Sequence, residues 1–309
     1  MKLLLTLAVT CLLAAATARA DNIYYSQSNN AFRRIDSNGN SLTLSTEANA
    51  GVSVGPTGLI YTSTNFPPGV GDYGGPVIGI YNPATSSYVS HFTPGAAPSG
   101  DTAFDKAGLF YVAEGNNTIE RFTASGTSLG TFASVNLNGP TGIAFDSLGR
   151  LYVANFNSNS IERFSATGLD LGSFGTFLTN PAGIAFDGSG DLFVANYGAG
   201  TVSELSSTGS VLESFGVGSQ PIGIAFNSAG NLLVAHGTGT QIEMFSATGT
   251  DLGQIAAATG NAAIYLALTD NAGLPVINEI AAAPEPGSVA VGLLASGALL
   301  LTARSRRRR

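Results

Sequence analysis

The stretch GPTGIAFDSLGRLYVANFNSNSIERFSATGLDLGSF, residues 139–174, is written again as NPAGIAFDGSGDLFVANYGAGTVSELSSTGSVLESF at 180–215 and as QPIGIAFNSAGNLLVAHGTGTQIEMFSATGTDLGQI at 220–255. The anchor phenylalanines Phe145, Phe186 and Phe226 set a period of 41 and then 40 residues. Each copy offers four short runs rich in β-branched and aromatic residues, bounded by Gly, Asn, Asp and Ser, and none reads as a helix. The turns repeat too. Asp146 to Gly149, Asp187 to Gly190 and Asn227 to Gly230 join the first and second runs. Ser165 to Gly168, Ser206 to Gly209 and Ser246 to Gly249 join the third and fourth. In both, a side-chain oxygen bonds the backbone just ahead and a glycine takes the positive-φ position. One copy is therefore a four-stranded meander. A lone meander cannot bury two faces, so the copies must stack around an axis as a β-propeller.

Working outward, the same unit precedes this stretch around Phe104 and Asp105, and a longer one with an insertion at 65–79 begins near Val54. First turns occur at Gly58, Gly108, Gly149, Gly190, Gly230 and Gly273. Third-to-fourth turns begin with Asp36 to Gly39, pass through a degenerate Asn82 to Thr85, and recur at Gly126, Gly168, Gly209 and Gly249. The earliest has no upstream partner turn and the last first turn has no downstream one. The expected fold is all-β: a six-bladed propeller over 21–280, one blade taking its inner strand from the C-terminal side. Seven blades is the alternative. Both the run at 22–27 and the run at 274–277 suit the second-strand slot of the closing blade.

Residues 1–20 read as a signal peptide: Lys2, an apolar run from Leu3 to Ala16, then Ala18-Arg19-Ala20. The single cysteine, Cys11, lies inside it, so the mature chain has no disulfide and no thiolate chemistry. A linker at 281–287 leads into an apolar segment at 288–303, short for a transmembrane helix, and a basic tail at 304–309 that holds that end in the cytoplasm. Pro284-Glu285-Pro286, the short hydrophobic helix and the arginine tail together resemble the PEP-CTERM sorting signal of Gram-negative bacteria. That resemblance implies export through the Sec machinery, cleavage by an exosortase near Pro284, Glu285 and Pro286, and delivery to the cell surface or extracellular matrix. The membrane is then touched only through the C-terminal helix before processing.

With both ends removed, six basic residues face 19 or 20 acidic ones, a net charge near −13 or −14. Such a surface repels nucleic acid and anionic lipid.

The Pro-x-Gly-Ile-Ala-Phe-Asp opening, the Leu-Tyr-Val-Ala-Asn centre and the Ile-Glu-Arg-Phe third run resemble the NHL repeat family over roughly 22–280. The resemblance implies six blades, in a family that spans binding scaffolds, lyases and, more distantly, gluconolactonase-like metalloenzymes. The family usually carries Asp after Val-Ala and Asn-Arg before the Ile. Here the first position holds Glu114, Asn155, Asn196 and His236, and the Arg is missing.

Alignment adds Gln27 and Ser63 to that position, giving a polar ring at the end of the second strands. A carboxylate, amides and an imidazole in a ring can hold a divalent cation such as calcium in the channel, or a sugar, and Glu114 with His236 can do acid–base work. Zinc spacing, a Ser-His-Asp set and a phosphate loop are missing from the sequence. The functional expectation is an exported, exosortase-processed propeller that binds a glycan or protein, or serves a structural role. The alternative is a secreted lyase or gluconolactonase-like hydrolase with a metal in the channel.

Overall fold

The computed structural model describes residues 21–27, 31–36, 40–45, 51–65, 76–238, 241–257 and 263–269. The signal-peptide region 1–20, most of the insertion, and the linker, hydrophobic segment and tail beyond 269 lie outside the described residues. So does the run at 274–277.

Within those bounds the strands form six four-stranded antiparallel sheets. Blade 1 holds β1 (Asn22–Gln27), β2 (Phe32–Ile35) and β3 (Ser41–Ser45), with β24 (Ala263–Thr269) as its inner strand. Blade 2 holds β4 (Val52–Val54), β5 (Ile60–Asn65), β6 (Pro76–Asn82) and β7 (Ser87–Phe92). Blade 3 holds β8 (Pro98–Phe104), β9 (Phe110–Glu114), β10 (Thr118–Phe122) and β11 (Ser128–Ala133). Blade 4 runs through β12 (Pro140–Phe145), β13 (Leu151–Asn155), β14 (Ser160–Phe164) and β15 (Asp170–Phe174). Blade 5 comprises β16 (Pro181–Phe186), β17 (Leu192–Asn196), β18 (Thr201–Leu205) and β19 (Val211–Gly216). Blade 6 comprises β20 (Pro221–Phe226), β21 (Leu232–His236), β22 (Gln241–Phe245) and β23 (Asp251–Ala257).

The turns close as their chemistry demands. Asp146 Oδ1 accepts the amides of Leu148 and Arg150, both at 2.9 Å, and Gly149 sits at φ 76°. The inner strands stand in a closed ring, β4 beside β8, then β12, β16, β20, β24 and back to β4. Their glycines are set by crowding: a Cβ on Gly142 would lie 2.2 Å from the carbonyl oxygen of Ala182, and one on Gly183 equally close to that of Ile222.

Each repeating Phe at the end of an inner strand packs edge-on against a second-strand aromatic of the preceding blade. The pairs are Phe104 with Tyr61, Phe145 with Tyr111, Phe186 with Tyr152 and Phe226 with Phe193, at centroid distances of 4.7 to 5.0 Å. Such pairs add about 0.5–1.5 kcal/mol each beyond their buried area, so the anchor of the sequence repeat is the joint between blades.

The ring closes through β1, with Ile23 opposite Leu268 and Asn22 opposite Thr269. Buried Asp21 fastens this blade to blade 6, accepting from the Ser228 amide at 2.7 Å and the Ser228 hydroxyl at 2.9 Å.

Candidate functional site

The second strands end opposite the start of their inner strands: Asn155 pairs with Pro140, Asn196 with Pro181, His236 with Pro221 and Glu114 with Pro98. These side chains thus sit at one face, where each loop arrives from the preceding blade, and they hold that loop. Asn155 accepts from the Asn138 amide at 3.0 Å and donates to the Asn136 carbonyl at 2.9 Å. Asn196 accepts from the Thr179 amide at 3.2 Å and donates to Ser203 at 2.9 Å. His236 meets the Ser219 carbonyl at 3.0 Å through Nδ1, and Glu243 at 3.3 Å through Nε2.

Glu114 accepts from Thr118 at 3.3 Å, and burial raises its pKa against the lowering effect of the Ala96 and Gly95 amides. Gln27, Glu114 and Asn155 have no accessible surface, and Asn196 and His236 keep 2% and 6%. Glu114, Asn155, Asn196 and His236 are thus buried anchors that each bond a different loop, and none of the six expected residues lines the central cavity.

One member is out of register. Ile60 pairs with Val54 and Tyr61 with Ser53, as Leu151 pairs with Phe145 and Tyr152 with Ala144. Position 64, not Ser63, is therefore the counterpart of Asn155, and Ser63 takes the place of Ala154. Strand side chains alternate faces, so the one-residue difference turns Ser63 away from the ring's side of the sheet. Its hydroxyl bonds the Gly51 carbonyl at 3.3 Å.

The cavity along the axis has a volume of about 300 Å³. Its walls are Ile143, Ile184, Ile224 and Leu266 in one layer, alanines in the next and phenylalanines at one end. On the side formed by blades 2 and 3 it turns polar, with Ser53, Asp101 and Thr102. This lining offers one carboxylate and two hydroxyls, whereas calcium takes 6–8 oxygens. The donor set does not fit the divalent cation expected in the channel.

Sequence reasoning passed over three groups: Asp101, a carboxylate cluster on the flank of blade 5, and a set on the loop face of blades 4 and 5. There Phe156 and Tyr197 follow directly on Asn155 and Asn196, partly exposed and edge-to-face at 5.4 Å. Asn180 ties the two backbones together, its side-chain amide donating to the Phe156 carbonyl at 3.1 Å while its backbone carbonyl accepts the Tyr197 amide. In the loop leading to Asn180, Phe177 is 93% exposed with φ 60°. Asn136 takes the corresponding place in the preceding loop at φ 56°. Asparagine tolerates this region and a bulky aromatic resists it, so Phe177 is held outward against its backbone preference. The signal in the sequence is the aromatic that follows Val-Ala-Asn in only two repeats.

On the flank of blade 5, carboxylate oxygens of Asp187, Asp191 and Glu204 lie within 4.8 Å of one another.

With this geometry in hand, the chain can be set beside known proteins. The NHL repeat family matches residues 137–164, which cover blade 4 from its incoming loop to its third strand. No curated protein matches the chain. Among solved structures, a chain of a nidogen/laminin complex aligns with a TM-score of 0.69 at 16% identity, covering 81% of this chain and 99% of its own. A virginiamycin B lyase from Staphylococcus aureus aligns at 0.56 with 16% identity, covering 72% of this chain and 77% of its own. A protein of unknown function from Bacteroides caccae aligns at 0.62 with 14% identity, covering 80% and 98%. At these identities the likeness concerns the fold alone.

Proposed function

We propose that this protein is an exported propeller that binds glycan in the extracellular matrix or at the cell surface, through the loop face of blades 4 and 5. The observation that carries the reading is the Phe156–Tyr197 edge-to-face pair, with Asn180 bonded to the backbone of both residues and Phe177 exposed three residues before Asn180. Aromatic faces take the C–H side of a sugar while amides take its hydroxyls, and Tyr adds a polar tip at low entropic cost. An acidic mature chain suits a neutral polysaccharide better than an anionic one. The nidogen/laminin likeness adds that this fold takes part in a protein complex elsewhere. The lyase reading rests on fold likeness only, because Glu114 and His236 bond different loops and neither lines the cavity.

Delivery in this reading follows the segments described from the sequence: signal peptide, Pro284-Glu285-Pro286, hydrophobic helix and arginine tail. Deleting 304–309 is expected to leave the chain uncleaved or mislocalised with its propeller intact, and normal surface delivery would remove the sorting argument. The binding face is tested by a glycan array on the exported chain and on its Tyr197→Ala and Phe177→Asn variants. Phe177→Asn relieves the backbone, so it is expected to keep or raise thermal stability while glycan signal falls. Undiminished glycan signal in both variants would end this assignment.

A further inference from the structure

Inner strands β12, β16 and β20 run six residues from Pro to Phe, and β8 runs seven. The register places the difference. Pro98 pairs with Glu114 as Pro140 pairs with Asn155, and Thr102 pairs with Val112 as Ile143 pairs with Val153. Three residues therefore stand between Pro98 and Thr102 where two stand between Pro140 and Ile143. Ser99 bonds the Pro140 carbonyl at 3.2 Å as Thr141 bonds the Pro181 carbonyl, so Ser99 and Gly100 keep the repeat positions. Asp101 is the extra residue. A bulge of this kind re-aims a side chain, and this one lines the axial cavity.

The carboxyl has little protein support. Oδ1 takes the Thr102 amide at 2.8 Å, and Oδ2 has no partner among the described residues. Thr102 donates its hydroxyl to Ser53 Oγ at 2.9 Å, which leaves the Ser53 proton free to turn toward the cavity. Opposite stand Ile184, Ile224 and Leu266. Among the described residues, Asp101 is the only titratable side chain in the lining. Behind it on β9, the side chains of Tyr111 and Glu114 are buried and outside the lining.

We propose that the axial cavity is a site for a small organic ammonium ion with a compact apolar body, its nitrogen held by Asp101 with Ser53 and its body against the isoleucine layer. The chemistry selects this class. A second carboxylate is missing for a divalent cation. An anion meets only a carboxyl, and a polyol finds apolar walls where it needs donors. The volume is at the small end of ligand sites, enough for a single ring or a short alkyl chain. Burial pushes the empty Asp101 carboxyl up to about 8, against the lowering effect of the Thr102 amide. At pH 7 the carboxyl is thus largely protonated, and an ammonium that pairs with the carboxylate expels that proton to solvent, about one per ligand. The site is independent of the glycan face on blades 4 and 5.

The test is calorimetric titration of the full chain at pH 7 with benzylamine, benzyl alcohol and calcium chloride, each in two buffers of different ionisation enthalpy. Benzylamine is expected to saturate one site with release of about one proton, and benzyl alcohol to bind roughly ten-fold more weakly. Asp101→Asn should abolish both the preference and the proton release. Deletion of Asp101, which restores the six-residue strand of the neighbouring blades, is a second variant with the same expected loss should Asp101→Asn fold poorly. Equal affinity for amine and alcohol would overturn the proposal. So would absence of saturable amine binding, or full amine affinity in either folded variant. Calcium that displaces benzylamine through Asp101 would overturn it in favour of a metal site.

Discussion

In blade 4 the corner between the first turn and the third strand holds Asp146, Arg150 and Arg163; in blade 5 the same positions hold Asp187, Asp191 and Glu204. Two cations have become two anions on one backbone. In blade 4, Arg150 Nε reaches Asp146 Oδ2 at 2.5 Å and lies over the Tyr152 ring, and Arg163 lies over Phe174. In blade 5 the like charges crowd, and Glu204 faces a fourth carboxylate, Glu213, directly across the strand pair. Burial raises the pKa of Asp191, and Asp187 adds to it; burial likewise raises that of Glu204, helped by Asp191 and Asp187.

Yet the turns are the same. Asp187 Oδ1 accepts the amides of Ser189, Gly190 and Asp191, as Asp146 accepts those of Leu148 and Arg150. The first-position oxygen and the buried aromatic joint specify the blade, and the outer charges are free to change sign.

The largest effect that can break this comparison is removal of the turn oxygen. Asp146→Ala is expected to cost about 2 kcal/mol, since it orphans two amides and an arginine. Asp187→Ala should cost clearly less, because losing that charge also relieves Asp191 and Glu204. Urea unfolding of both variants checks it, and equal costs would mean that the carboxylates of blade 5 do not repel. Next in size, Glu204→Arg copies blade 4 and should stabilise by about 1 kcal/mol at low salt. The gain should shrink in 1 M salt, on the order of a 3 Å screening length.

A third effect is in pH. Asp191 and Glu204 have raised folded-state pKa values, so the native state binds their protons more tightly than the unfolded chain does. Their cost is present at neutral pH and is relieved as pH falls through the folded values. Asp101, up to about 8, acts in the same direction between its unfolded value and that pH. Wild-type stability should therefore rise from pH 8 toward pH 5. Asp101→Asn should flatten that slope across the range, and Glu204→Arg should reduce what remains. The smallest effect is Arg150→Leu, expected within about 0.5 kcal/mol as for most exposed ion pairs, with a change in melting temperature near the limit of detection.

The blades were legible because their signals are local: an Asx or Ser oxygen, a glycine after it, and an aromatic every repeat. The closing strand was legible as a choice, and the register of Asn22 to Gln27 on β24 makes it. What escaped was register in strands without the repeat's lettering. Leu-Ile-Tyr-Thr-Ser in blade 2 admits two phases by composition, and only pairing with Val52 to Val54 selects one, which displaced Ser63. Asp101 hid for the opposite reason. The Phe-to-Phe period stays at 41 residues on both sides of blade 4, although Gly-to-Phe lengthens from three steps at Gly142–Phe145 to four at Gly100–Phe104. The sequence showed the ring positions but not their first partners: a polar side chain beside an arriving loop meets that loop's amides and carbonyls, as Asn155 and Asn196 do.

The seam between β1 and β24 also has a mechanical side. Asn22 stands opposite Thr269, so the chain enters and leaves the closing blade at the same end of an antiparallel pair. Tension applied across those two points would load the seam's hydrogen bonds one after another, like a zipper, and would not shear them together. The Asp21–Ser228 clamp stands at that same corner and would take the first load. A pull between one end and a ligand on the loop face would instead be shared by whole blades through their aromatic joints. The ring is thus easy to open from its seam and hard to open from its loop face.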